Sequence, residues 1–111
     1  MPKPWRLTRA AQAALIDIAR WTVESFGPRQ AAAYEEDLIA VCRAIAGGEA
    51  PSQDCRGLID PNLPEDLRFA RAGAHFVIFI EEAGQVIIID FLHARSDLPR
   101  RLADLPPARG R

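Results

Sequence analysis

Cysteine is scarce in this chain: Cys42 and Cys55 are the only two among 111 residues. Small secreted domains that lean on disulfides usually carry four or more, so no disulfide framework is expected and a reducing cytoplasm is the natural setting. Long apolar runs are missing too. Nothing approaches the ~20 residues that cross a bilayer. The opening Met-Pro-Lys-Pro-Trp-Arg is followed by no unbroken apolar stretch of signal-peptide type, so no membrane partner is expected. A charge excess is lacking as well, because fourteen basic side chains meet fifteen acidic ones, for a net charge of −1. A protein that holds nucleic acid mainly by neutralising phosphates usually shows a clear basic excess, and none is visible overall.

What is present is a globular composition, 49 % hydrophobic and 26 % charged, which excludes disorder and, at this length, leaves room for one core. A single domain is therefore expected over 1–111, with its core at about 4–102 and a frayed tail at 106–111. Basic charge is almost wholly arginine, Lys3 being the sole lysine, and it is unevenly placed. From Phe91 to Arg111 five arginines stand against Asp97 and Asp104, a local +3.

Period-two spacing of Trp5 and Leu7 predicts a short first strand over 4–7. Thr8 is a good N-cap for a helix over 9–26, whose stripe is Leu15, Ile18, Thr22 and Phe26. Gly27 ends that helix and Pro28 opens a second one, over 28–46, with Ala31, Tyr34, Leu38, Val41, Cys42 and Ile45 on one face. So tight a turn predicts a helical hairpin. A proline-bearing loop over 49–65 follows. Three strands come next, at 67–71, 75–80 and 86–93, joined by turns at Ala72-Gly73 and Ala83-Gly84 as a β-meander. A last short helix over 97–105, capped by Ser96, closes the chain before Pro106-Pro107. The order βααβββ makes an α+β fold, the helical hairpin packed on a mainly antiparallel sheet. Strict alternation in the meander sets Phe76, Ile78 and Ile80 against Val77 and Phe79, and Ile87, Ile89 and Phe91 against Val86, Ile88 and Leu92. Both faces are apolar, so the face away from the hairpin is either covered or binds a partner.

Few constellations suggest chemistry. Cys42, Cys55, His75 and His93 show no zinc-motif spacing, so no metal or other cofactor is expected. Ser96, Asp97 and His93 are neighbours on one turn, whereas a catalytic triad draws facing groups from different elements. Glu35-Glu36-Asp37 reads as a solvated helix face, and Gly47-Gly48 is an isolated pair, not a phosphate cradle. The arginines stand out. Arg68 and Arg71 lie on one strand but on opposite faces, while Arg95, Arg100 and Arg101 follow the last strand.

Taken in order, several segments resemble the RelE/ParE toxins of bacterial type II toxin–antitoxin systems, and most closely the ParE branch. They are Trp5-Arg6-Leu7-Thr8 with Ala13, Leu15 and Ile18 behind it, Gly27-Pro28-Arg29-Gln30-Ala31 leading to Tyr34 and Leu38, Leu67-Arg68-Phe69, and Gly73 to Phe79. Ile87 to Asp97 is the most specific piece, and the likeness covers roughly residues 4 to 102.

The resemblance implies one of two activities: ParE members poison DNA gyrase, and RelE members cut messenger RNA in the ribosome. The cutting enzymes usually carry a tyrosine or another acid–base group near the C-terminus, where this chain has Pro99 and Arg100. Arginine stabilises phosphate charge but is a poor base. The expectation is therefore a toxin that inhibits gyrase by binding, with no catalytic residue and no small-molecule substrate. Its target-binding surface would comprise Arg95, Arg100 and Arg101, supported by Arg68, Arg71 and His93. The alternatives are a ribosome-dependent endonuclease with His93 as proton carrier, or an inactive relative retained to bind its antitoxin. The implied partner is a ParD-like antitoxin, whose tail is expected against apolar surface left open on the toxin, partly by adding to the sheet edge or filling a groove beside it. Asp90 stands where relatives commonly carry a basic residue.

Overall fold

A computed structural model describes residues 2–59 and 61–104. Its elements are β1 (Trp5–Leu7), α1 (Arg9–Phe26), α2 (Pro28–Ala46), β2 (Gln53–Asp54), α3 (Cys55–Leu58), β3 (Arg68–Ala72), β4 (His75–Glu82), β5 (Gln85–His93) and α4 (Leu98–Ala103). The sheet runs β1-β5-β4-β3-β2. β1 lies parallel to β5, and the remaining pairs are antiparallel. The expected α+β order is present, with a two-residue edge strand and a single helical turn added inside the 49–65 segment. Leu105 and the tail at 106–111 lie outside the described residues.

Thr8 ties the first strand, the first helix and the sheet together. Its hydroxyl accepts from Ala11 N at 3.1 Å, as an N-cap does, and donates to Ile89 O at 2.8 Å. Ala11, Leu15 and Thr22 then bury one stripe of α1. Phe26, assigned to that stripe by spacing, is exposed and stands against the Trp21 ring instead of the core. Gly27, at φ 93°, makes the break and Pro28 starts α2, which packs against α1 and buries Ala31, Leu38, Cys42 and Ile45.

The meander departs from strict alternation at one point. Phe79 pairs with Ile88 but Ile78 pairs with Asp90, so Ile89 is an extra residue and β5 carries a β-bulge. The bulge reverses parity beyond it. Val86, Ile88 and Phe91 share the face under the hairpin with Val77 and Phe79, while Ile87, Ile89 and Leu92 join Ile78 and Ile80 on the other. The expected grouping of Phe91 with Ile87 and Ile89 is thereby corrected. Asp90 is the bulge's polar residue, buried, its carboxylate accepting from Phe91 N at 2.8 Å.

The second sheet face is covered by the chain itself. Cys55, Leu63, Leu67 and Leu102 are buried against it, with Ile59 and Leu98 packed at the margin. That face is therefore not an open apolar surface for an antitoxin tail. The turns fall at Gly73-Ala74 and Ala83-Gly84, the first one residue later than expected. Ala83 at φ 53° and Gly84 at φ 76° give the second turn the type I′ twist that suits a hairpin. Ser96 does not cap the last helix. Its hydroxyl donates to His93 O at 2.6 Å, and Asp97 takes the N-cap position without a side-chain bond. Among the described residues no helix is long and apolar enough to cross a membrane.

Candidate functional site

The six residues singled out from sequence fall into three places. Arg68 faces the hairpin side of β3, and its guanidinium donates to Ser52 Oγ and Ser52 O, both at 3.1 Å. Arg71 lies on the opposite face, as alternation requires, donating to Gly73 O at 2.6 Å and stacking over Phe76 at 5.2 Å from the ring centre. These two cannot grip one phosphate together, and Arg68 serves the β2–β3 edge. Arg71 shares an open cavity with Phe69, Phe76 and Leu98, the first residue of α4. That helix is anchored by buried Leu102 and carries Arg100 and Arg101 exposed. Arg95 is exposed in the bend after β5. None of Arg95, Arg100 and Arg101 forms an ion pair among the described residues.

His93 belongs to a different neighbourhood. The bulge sets it directly opposite His75, and the two rings meet edge to face at 5.1 Å between centres. Backbone Arg95 N–H donates to His93 Nδ1 at 3.0 Å, which places the His93 proton on Nε2. His75 in turn lies 2.6 Å from the hydroxyl of Tyr34, on α2. That hydroxyl also accepts from Ala74 N at 3.0 Å and reaches Ala72 O at 3.2 Å. Tyr34 fits so closely because residue 73 is glycine. A Cβ there would sit 2.7 Å from the tyrosine ring, and φ is +59°. Burial, and secondarily the neighbouring His93, push His75 down to about 4, so its imidazole is neutral near pH 7.

This trio closes one end of a cavity of about 550 Å³, whose walls are mostly apolar and include Ile18, Trp21 and Phe26. Its size is that of a ligand or side-chain pocket. The sequence places Tyr34 on the apolar stripe of α2 and offers His75 only as a metal ligand, so their contact is not visible in it. Their 41-residue separation leaves no local motif to read. The metal reading gains nothing here. No group of three His, Cys, Asp or Glu residues could hold an ion among the described residues, and a His93 protonated on Nε2 presents no lone pair there. Cys42 and Cys55 are free and buried, and burial pushes both thiols up to about 12.

Comparison with known proteins agrees with this architecture. A model of the ParE toxin of type II toxin–antitoxin systems, parDE, matches residues 5–98. Toxin ParE of Escherichia coli is 35 % identical over 99 residues, spanning 88 % of this chain and 91 % of that protein. Toxin ParE1 of Caulobacter vibrioides is 38 % identical over 91 residues, spanning 82 % and 88 %. A solved chain from the chromosomal ParDE system of P. aeruginosa shares the fold, with a TM-score of 0.67 at 16 % identity, covering 82 % of this chain and 95 % of that one. With a match over nearly the whole described fold and two relatives of comparable length, the chain belongs to the ParE toxin family of type II toxin–antitoxin systems.

Proposed function

We propose that this toxin acts by binding DNA gyrase and blocking it, with no chemistry of its own, and that a ParD-like antitoxin neutralises it in the cytoplasm. The observation that carries the reading is the state of three arginines in a chain of this family. Arg95, Arg100 and Arg101 are exposed and without an ion-pair partner among the described residues, on a segment of net positive charge. Planar guanidinium groups held this way suit carboxylates on a protein or phosphates on its DNA, which accept two parallel hydrogen bonds each. Arg71, beside the same end of α4, is the supporting member. Arg68 and His93 act from further back, through the β3 edge and the bend that carries Arg95.

The binding reading is favoured over ribosome-dependent cleavage for a chemical reason. Cleavage needs a base for the 2′-hydroxyl next to groups that stabilise phosphate charge. His93 has its Nδ1 occupied by Arg95 N–H and its ring against His75, at a pocket with apolar walls. Arg68 and Arg71 face apart. The test is the affinity of purified gyrase for this chain and for a variant with Arg95→Glu, Arg100→Glu and Arg101→Glu. Each charge-assisted bond to a target is worth about 1.5–3 kcal/mol, so loss of all three should weaken binding more than 100-fold. Unaltered affinity in a folded variant would remove these arginines from the interface.

A further inference from the structure

We infer that the cavity between the α1–α2 hairpin and the adjoining ends of β4 and β5 binds a small organic cation with an apolar body, held by the rings of Trp21 and Phe26 and by the Asp17 carboxylate. Its volume of about 550 Å³ suits a small molecule, and its walls are mostly apolar with a few polar groups, as such sites usually are. Large apolar side chains remain exposed only on α1 among the described residues. Two of them, Trp21 at 59 % and Phe26 at 58 %, stand edge to face with ring centres 5.8 Å apart and line this cavity. Tyr34 adds a third aromatic ring to the lining. The face of an aromatic ring carries negative charge density, so such a wall attracts a cation, tryptophan most strongly.

Asp17 selects the sign of the occupant. It is the only Asp, Glu, Lys or Arg among the lining residues, and it forms no ion pair among the described residues. The other polar groups are largely paired within the chain. Thr22 donates its hydroxyl to Ile18 O at 2.6 Å, the Tyr34 hydroxyl joins Ala74 N and His75, and His93 Nδ1 accepts from Arg95 N–H. His75 is neutral near pH 7, so it brings no positive charge of its own. An anion would face the Asp17 carboxylate across apolar walls, whereas an ammonium group meets a carboxylate and ring faces together. Arg20 and Arg29 stand next to lining residues in the chain but are exposed and outside the lining, where salt screens them. Arg95, Arg100 and Arg101 do not line the cavity either, so the site is separate from the surface proposed to meet gyrase.

The test is calorimetric titration of the purified chain, in about 0.15 M salt, with benzyltrimethylammonium, benzyl alcohol and phenylacetate as cationic, neutral and anionic probes of similar body. The cation should bind with a Kd of about 1 mM or below, and about fivefold or more tighter than the other two. Asp17→Asn and Trp21→Leu, both at exposed positions, should each weaken it about fivefold or more. Glu24→Gln, exposed on α1 but outside the cavity, should stay within about twofold of wild type. No binding of benzyltrimethylammonium at about 10 mM, well above that Kd, overturns the site. Equal affinity for benzyl alcohol or phenylacetate overturns the selection of a cation. Wild-type affinity in either Asp17→Asn or Trp21→Leu places the bound cation elsewhere and overturns the assignment as well.

Discussion

Replacing Tyr34 by phenylalanine removes one oxygen and keeps the ring, so it isolates the hydroxyl that joins α2 to the β3–β4 turn. Three groups lose a partner: Ala74 N, His75 Nδ1 and Ala72 O, at 3.0, 2.6 and 3.2 Å. A hydrogen bond of this kind contributes about 0.5–1.5 kcal/mol net, and the bonds lie where water can partly compensate. No cavity term adds to the loss, because the ring still fills the space over Gly73. The expected destabilisation is about 2 kcal/mol. Unfolding entropy of about 2.1 cal/mol/K per residue turns this into a fall in Tm of roughly 8 °C. Urea melts at pH 7.5 should show the midpoint lowered by about 1 M with the slope unchanged. A shift below about 0.5 kcal/mol would show that the hydroxyl's bonds are replaced by water at no cost, and the account of this junction would fail.

His75 is held neutral, so between its ordinary 6.5 and about 4 the unfolded chain binds a proton that the native one does not. Stability should fall as pH drops through that window, by up to about 2 kcal/mol after solvent screening. The groups facing His75 are Tyr34, His93 and, across the cavity, Asp17. A His75→Gln variant should lose this part of the pH dependence, and parallel curves for the two proteins would contradict it. Ala83 sits at φ 53°, a conformation that asparagine and glycine adopt more readily. Ala83→Asn should raise stability by about 0.5–1 kcal/mol, and a lowered Tm would argue against the type I′ turn. Cys42 and Cys55 are fully buried with thiols pushed up to about 12. Neither should react with an aromatic disulfide reagent at pH 8 until the protein is unfolded, when both should, and rapid labelling of the native chain would contradict their burial.

The hairpin and the meander were legible because their signals are local. Thr8, Gly27 with Pro28, and Ala83-Gly84 each act within a few residues of the boundary they set. The bulge at Ile89 was not legible, since nothing in a run of apolar residues marks which one will lose its cross-strand partner. Its consequences reach far. From the Ala83-Gly84 turn, regular pairing places His75 opposite Leu92, and only the extra residue brings it opposite His93. The histidine pair, and the Tyr34 contact that orients it, were therefore hidden. Which of the two alternatives holds for the second face was hidden too, because Cys55, Leu63, Leu67 and Leu102 come from segments with no periodic pattern to tie them to the sheet. The opposed facing of Arg68 and Arg71 needed only strand alternation, and it holds.

The measurement that bears most directly on the proposed activity is gyrase supercoiling of relaxed plasmid with the purified toxin, followed by addition of its antitoxin. Supercoiling should stop at saturating toxin, with no cut in a translated message under the same conditions, and should return when antitoxin is present in slight molar excess. Supercoiling that proceeds unchanged while codon-spaced cuts appear in the message would contradict the account.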